Sequence, residues 1–377
     1  MLKGIHLTVM IGPVIAVPVP QSILDSLTSV TVTVNSGPRS PSVFELVFTL
    51  SNKSVLQTLF LIAGGTPIPL VRVVLMLTVN GTPEVLIDGL MTDHQISPGS
   101  DTGFSTVTIK GQDLTAAMDY QDFSGFPFPA MPAEARVALL IAKYAMFGII
   151  PLVVPSVMLD FPNPMEMIPR QKGTDLKYIN QLADIVGYEF YISSGPAPGA
   201  NVAYWGPRVT IGVPQPALNV NMDAYTNVEN ISFSYTNDQK AMPIVWIQEP
   251  FSKATIPIPI PDFNPLSPPL GIIEPIPTRF EPVEGTAKLK PVQALLIALA
   301  KQSLSADAVS ASGSLDVVRY GRVLKARQLV GVRGGGMAFD GLYFVKSVKH
   351  RIKKGEYKQD FTLIRNGLVS TVSAVPA

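Results

Sequence analysis

Residues 331–365 read GVRGGGMAFDGLYFVKSVKHRIKKGEYKQDFTLIR. The order is turn, strand, basic turn, strand. Phe339-Asp340-Gly341-Leu342-Tyr343 leads into Val345, Val348 and His350. Lys353-Lys354-Gly355-Glu356 makes the second turn, and Tyr357, Phe361, Leu363 and Arg365 close the pattern. Alternating apolar residues on both sides of a glycine-containing turn are the signature of an antiparallel hairpin. Such a hairpin can finish any antiparallel barrel, so the rest of the chain has to say which.

Upstream, residues 28–110 carry the same alternation. Val30, Val32 and Val34 form one set, Phe44, Leu46, Phe48 and Leu50 a second, and Val71, Val73, Leu75, Leu77 and Val79 a third. Asn80-Gly81 is a strong hairpin turn signal with a partner strand over 84–87, and 104–110 gives one more strand. At the N-terminus Ile5, Leu7, Val9 and Ile11 alternate before Pro13, Pro18 and Pro20. That pattern reads as a strand and an extended arm rather than a secretion signal. Residues 53–62 suggest a short helix across one mouth of a small, closed or nearly closed β-barrel.

From Gly111 the character changes. Val137, Leu140, Ile141, Tyr144 and Phe147 fall at helical spacing after Pro132-Ala133-Glu134. A second helix follows Gly173-Thr174-Asp175 with Ile179, Leu182, Ala183 and Val186 on one face. Thr174 or Asp175 can cap it, and Gly187 can end it in the left-handed conformation. Strands are expected over 188–192, 209–213, 228–235 and 244–248. Between Pro250 and Pro291 prolines alternate with Ile, Phe and Leu. The Ile256-Pro257-Ile258-Pro259-Ile260-Pro261 run predicts extended, polyproline-like chain outside any ladder, lying against protein or forming a loop. A third helix is predicted over 290–303.

Composition narrows the chemistry. The chain has 377 residues, 47% of them hydrophobic and only 15% charged, with a net charge of +1. So little charge implies surface covered by other subunits, or a large apolar monomer, and it argues against broad contact with nucleic-acid phosphates. There is no cysteine, which excludes disulfides and thiolate chemistry. His6, His94 and His350 are too scattered for a short-spaced metal site. Gly334-Gly335-Gly336 lacks the lysine of a phosphate-binding loop and reads as a turn. Asp88, Asp93 and Asp101 read as ordinary strand-end or turn residues. No catalytic constellation, metal or cofactor is expected.

Two blocks together point to a family. Gln171-Lys172-Gly173-Thr174-Asp175-Leu176-Lys177-Tyr178-Ile179, running on to Leu182-Ala183, Gly187-Tyr188 and Phe190-Tyr191, resembles the central signature of the late-control protein D family of contractile phage tails. That signature is also found in the hub part of type VI secretion spike proteins. The second block is the closing hairpin, with weaker support from Lys110-Gly111-Gln112-Asp113-Leu114 and from residues 227–235. The resemblance covers about 28–366 in the right order. It implies a mainly β fold with an α+β insertion: two antiparallel β-barrels like those of tail-tube proteins, plus a small helical domain. On this mapping the first barrel with its arm is 1–112, the insertion 113–200, the second barrel 201–248 with 290–370, and the proline-rich extended segment 249–289. It further implies a non-enzymatic, homotrimeric baseplate hub that matches a six-fold tail tube to a three-fold spike. Tube, spike and other baseplate proteins would be its partners, in a virion tail or injection particle. Arg351, Lys353 and Lys354, in the basic run at the hairpin tip, become candidate partner contacts. The chain departs from the family in its long proline-rich segment, in lacking a spike domain after Arg365, and in carrying Ala326-Arg327-Gln328 where a turn is usual. Two other readings are a hub that also degrades peptidoglycan and a glycan-binding module using Trp205 and Trp246.

Overall fold

A computed structural model describes residues 4–51, 71–98, 104–156, 162–165, 168–236, 241–248, 255–259, 267–276, 279–282, 298, 307–372 and 375. The helix expected over 53–62 lies outside the described residues, and of the one expected over 290–303 only Ala298 is described, in a helix.

Alternation builds two six-stranded halves. In the first, the spatial order is Leu27–Asn35, Val43–Ser51, Phe104–Asp113, Thr82–Pro98, Arg72–Val79 and Ile5–Gly12, every pair antiparallel. Val30, Val32, Phe44, Leu46 and Phe48 point inward and are buried. Asn80 and Gly81 both take positive φ, 49° and 82°, as the tight turn of a twisted hairpin demands. In the second half the order is Gln215–Asn219, Leu329–Arg333, Gly341–Lys353, Glu356–Arg365, Val309–Asp316 and Asn230–Tyr235. The loop before Asn230–Tyr235 is tied to Gln215–Asn219: Asn219 N–H donates to Asn227 Oδ1 at 2.8 Å, and Asn227 Nδ2 donates to the Ala217 carbonyl at 2.9 Å.

The halves share a strand. Along one edge, Gly341–Lys353 pairs first with Leu329–Arg333 and then, from Ser347 onward, with Leu27–Asn35 of the first half. The exchange happens at Lys346, which is bulged out of register against Glu356–Arg365 on the other edge. The sheet therefore runs unbroken from one half to the other. One apolar core extends from Val9 through Leu363. Leu27–Asn35 is paired on both sides over Ser29–Thr33, and among the described residues Ile5–Gly12 pairs with Arg72–Val79 and with the short Val17–Pro18. Among the described residues no ladder joins Ile5–Gly12 to Leu27–Asn35, where the sequence allowed closure.

Between the halves in sequence sits an α+β unit with its own core. Helices Ala133–Ala142 and Asp175–Val186 pack with a sheet ordered Ile149–Val153, Asn201–Gly206, Glu189–Ser194. Thr174 is the N-cap, accepting from Lys177 N–H, and Gly187 ends the helix at φ 70°.

Three expectations change. Residues 209–213 join no ladder, and Val209, Ile211 and Val213 are exposed at 38%, 50% and 92%. A period-2 apolar run does not ensure a ladder when no partner strand lies beside it. The proline-rich run is extended, yet Thr255–Pro259 is a strand: it pairs antiparallel with Ala241–Gln248, which also pairs in parallel with Arg279–Pro282. Pro257 and Pro259 are two apart, so both nitrogens share one side of an edge strand, where the missing N–H groups cost no ladder bond. Finally, Asp88 is neither a strand end nor a turn residue; it lies within Thr82–Pro98, 1% exposed.

Candidate functional site

The polar chemistry of the molecule is concentrated where its parts meet. Arg72 and Asp88 face each other from adjacent strands, and both side chains are almost fully buried. Arg72 Nε and Nη2 donate to the two Asp88 oxygens at 2.7 Å each. Nη2 also reaches the Phe147 carbonyl, Nη1 the Val14 carbonyl, and Asn201 Nδ2 donates to Asp88 Oδ2 at 2.8 Å. A bidentate pair with its remaining donors satisfied is the form in which a buried ion pair is tolerated. Its partners span the N-terminal arm, the first half and the inserted unit, so it fixes their relative positions.

A second joint lies at the fork where the shared strand changes partner. Ser36 N–H donates to the Lys346 carbonyl at 2.8 Å. Arg327, at φ 65°, donates through Nη2 to the Asn35 carbonyl at 2.6 Å, and its guanidinium lies 4.0 Å from the centre of the Tyr191 ring. Ala326 and Arg327 themselves form a turn before Leu329–Arg333, and Arg327 touches both halves and the inserted unit. Burial pulls the Arg327 pKa down and pushes that of nearby Asp113 up. A cleft of about 640 Å³ opens beside it, with Glu84, Asp113 and Lys325 on its walls.

The signature block is explained by one buried carboxylate. Asp175 is fully buried at the start of its helix. It accepts from Gln171 Nε2 at 2.7 Å, from Lys143 Nζ at 3.1 Å and from Tyr144 O–H at 2.9 Å. Gly173 sits at φ 80°, a conformation that favours glycine. Gln171, Gly173, Thr174 and Asp175 therefore lock the start of the helix in place. In the closing hairpin, Arg365 is 1% exposed and donates to the carbonyls of Gly367, Asp340 and Ala338, clamping the turn before the shared strand.

The three candidate contact residues are exposed at the hairpin tip. Arg351 pairs with Asp360 across the hairpin at 2.6 Å, and Lys354 Nζ donates to the Asp25 carbonyl at 2.9 Å. Lys353 is exposed on the same turn. His350, one residue before Arg351, points the other way: it is buried against the Tyr357 hydroxyl at 2.8 Å, and desolvation pushes its pKa down to about 3. Trp205, a candidate glycan platform, is fully buried against Tyr188. The Trp246 side chain lies outside the described residues. Among the described residues no group of three or more His, Asp or Glu is placed to hold a metal ion.

Sequence reasoning missed Arg72 and Arg327. An arginine inside the apolar run Val71-Arg72-Val73-Val74 was the available signal, since a charge on a strand buried on both faces needs a buried partner.

No protein-family model matches the chain, and no curated protein matches it. Solved structures do. A tail protein from Neisseria meningitidis superposes with a TM-score of 0.59 at 12% identity, covering 97% of this chain and 98% of that one. The 43 kDa tail protein of prophage MuSo2 from Shewanella oneidensis gives 0.57 at 14%, covering 96% and 98%. An Escherichia coli component of the type VI secretion system, itself described as similar to the T4 tail proteins gp27 and gp5, gives 0.51 at 10%, covering 93% and 78%. At such identities the likeness is one of fold. The chain shares its fold with these phage tail and type VI secretion proteins.

Proposed function

We propose that the chain is the structural hub of a contractile tail or related injection particle, a homotrimeric adaptor between a six-fold tail tube and a three-fold spike, without catalytic activity. The observation that carries this reading is the pair of six-stranded halves fused through one shared strand. Three copies would supply six such halves, so a three-fold ring would offer a six-fold face. A head-to-tail contact between two unlike surfaces of the chain is the kind of interface that closes into a ring.

In this reading 1–112 and 201–248 with 290–370 supply the two hub barrels, 113–200 is the insertion, whose sheet Asn201–Gly206 joins, and 249–289 is an extended excursion whose strands pair with Ala241–Gln248. Tube, spike and other baseplate proteins are the partners, and Arg351, Lys353 and Lys354 contact one of them. Among the described residues no helix is long and apolar enough to cross a membrane. Light scattering on the purified chain at high concentration tests the trimer. A mass of three chains is expected, and a monodisperse monomer would sink the reading. An electron cryo-microscopy map of the assembled particle would then place the ring.

A further inference from the structure

The loop between Gln215–Asn219 and Asn230–Tyr235 stands out from the second half as a braced knob. Asn221 and Asp223 both hold φ at 49°, a conformation that residues other than glycine keep only with support. The support is local. Asn219 Nδ2 donates to the Tyr225 carbonyl at 3.1 Å, Met222 N–H to Thr226 Oγ1 at 2.9 Å, and Tyr225 N–H to the Met222 carbonyl at 3.0 Å. Held this way, the loop turns its side chains outward: Tyr225 is 77% exposed and Met222 37%. The Asp223 carboxylate is exposed too, and it has no hydrogen-bond or ion-pair partner among the described residues. An aromatic ring on an ordered backbone has little freedom left to lose on docking.

A cleft of about 750 Å³ lies at the other end of Gln215–Asn219. Its apolar walls are Val79, Val213, Pro214, Pro216 and Val323. Its charged residues are one acid, Glu84, and two bases, Arg322 and Lys325. Lys325 Nζ lies 3.3 Å from Glu84 and answers that carboxylate. Arg322 is exposed and has no carboxylate in ion-pair range among the described residues, so the cleft keeps one positive charge to spare. Residues 219–227 do not line it. Gln215 does, and four steps of extended chain put Asn219 about 13 Å away, so the knob does not fill the cleft of its own chain.

We propose that the 222–225 knob of one copy enters the Arg322 cleft of the next, with the Tyr225 ring against Val213, Pro214 and Pro216 and the Asp223 carboxylate against the Arg322 guanidinium. The inference rests on the homotrimeric reading above and names the contact that holds the ring. Knob and cleft are unlike surfaces at opposite ends of one strand, so each copy gives a knob and receives one. The two unpaired charges are opposite in sign and meet as an arginine–carboxylate pair. An aromatic anchor in an apolar cleft beside such a pair is the composition of an interface hot spot. A second copy is the occupant because the chain itself carries both sides of the match.

Sedimentation equilibrium of the purified full-length chain over a range of concentrations tests the contact. Asp223→Lys and Arg322→Glu each set like charges against one another and should weaken self-association at least about tenfold. The double variant Asp223→Lys/Arg322→Glu puts the opposite charges back in exchanged places and should associate within about threefold of the wild type. Tyr225→Ala removes the anchor without touching charge and should also cost at least about tenfold. Arg322→Glu and Tyr225→Ala leave both residues of positive φ unchanged, so the test stands even where Asp223→Lys fails to fold. Association unchanged in those two variants, or a folded double variant no tighter than its folded single variants, would overturn the contact and leave the trimer standing. A wild-type chain that stays monomeric at every concentration would end both the contact and the trimer.

Discussion

Single side chains at the joints carry consequences out of proportion to their number. His350 is held neutral in the fold with its pKa pushed down to about 3, whereas the unfolded imidazole titrates near its ordinary value of 6.5. Between those limits the unfolded chain binds a proton that the folded chain refuses. Stability from this group is therefore fully present above pH 6.5 and is lost as the pH falls toward 3, by at most about 1.4 kcal/mol per pH unit. Urea unfolding at pH 7, 5 and 4 should show this slope in the wild type and a shallower one in His350→Gln. The buried Arg72–Asp88 pair behaves differently. Asp88→Ala strands a guanidinium in the core and should cost about 3–5 kcal/mol in a denaturant melt, while replacing both partners by apolar residues should cost far less. Neither role could be read along the chain. Arg72 and Asp88 are 16 residues apart, and Asn201, which completes their network, is 113 residues from Asp88. Side-chain partners at such separations exist only once the strands are in register.

At the scale of elements, more was legible. Alternation gave most of the main strands, Asn80-Gly81 gave its turn, and Thr174 with Gly187 bracketed a helix, because these signals are local to the backbone. What failed was partner choice. The run over 209–213 had the pattern without a neighbour, and the proline run had a neighbour despite its pattern. Glycines mark close approaches in the same way. A Cβ on Gly111 would lie 2.2 Å from the Phe44 ring and 2.4 Å from the Leu90 carbonyl oxygen. Gly111→Ala must displace both, and overpacking of this kind costs about 1–3 kcal/mol. The glycine in the Lys110–Leu114 block is thus fixed by packing. Thr174→Ala removes a cap and should lower stability by about 1 kcal/mol, measured by thermal unfolding. For the site, the sequence supplied an exposed basic tip but left out the cleft at Arg322. The cleft is built by residues from Val79 to Gln328, which only the tertiary fold assembles.

Across the whole molecule the low charge has a visible counterpart. Ile15, Met146, Ile150, Leu152, Val213 and Ile276 are all more than half exposed. Apolar surface spread over the arm, the inserted unit and the excursion suits a protein that is covered on several sides at once. The common core makes a further prediction. With apolar residues of both halves in one cluster, calorimetry should resolve a single transition for the two halves rather than separate melts. Two well-separated transitions in that scan would show that the shared strand does not couple them.

The shared strand also sets the order of events during synthesis. Leu27–Asn35 leaves the ribosome early, yet its second partner, Ser347–Lys353, is made more than three hundred residues later. Until then one of its edges waits unpaired, a standing invitation to pair with a neighbouring nascent chain. The N-terminal half alone would carry that exposed edge permanently, so a chain stopped before Gly341 should precipitate where the full chain stays dispersed. The second edge of Leu27–Asn35 is thus covered only after Lys353 has been made.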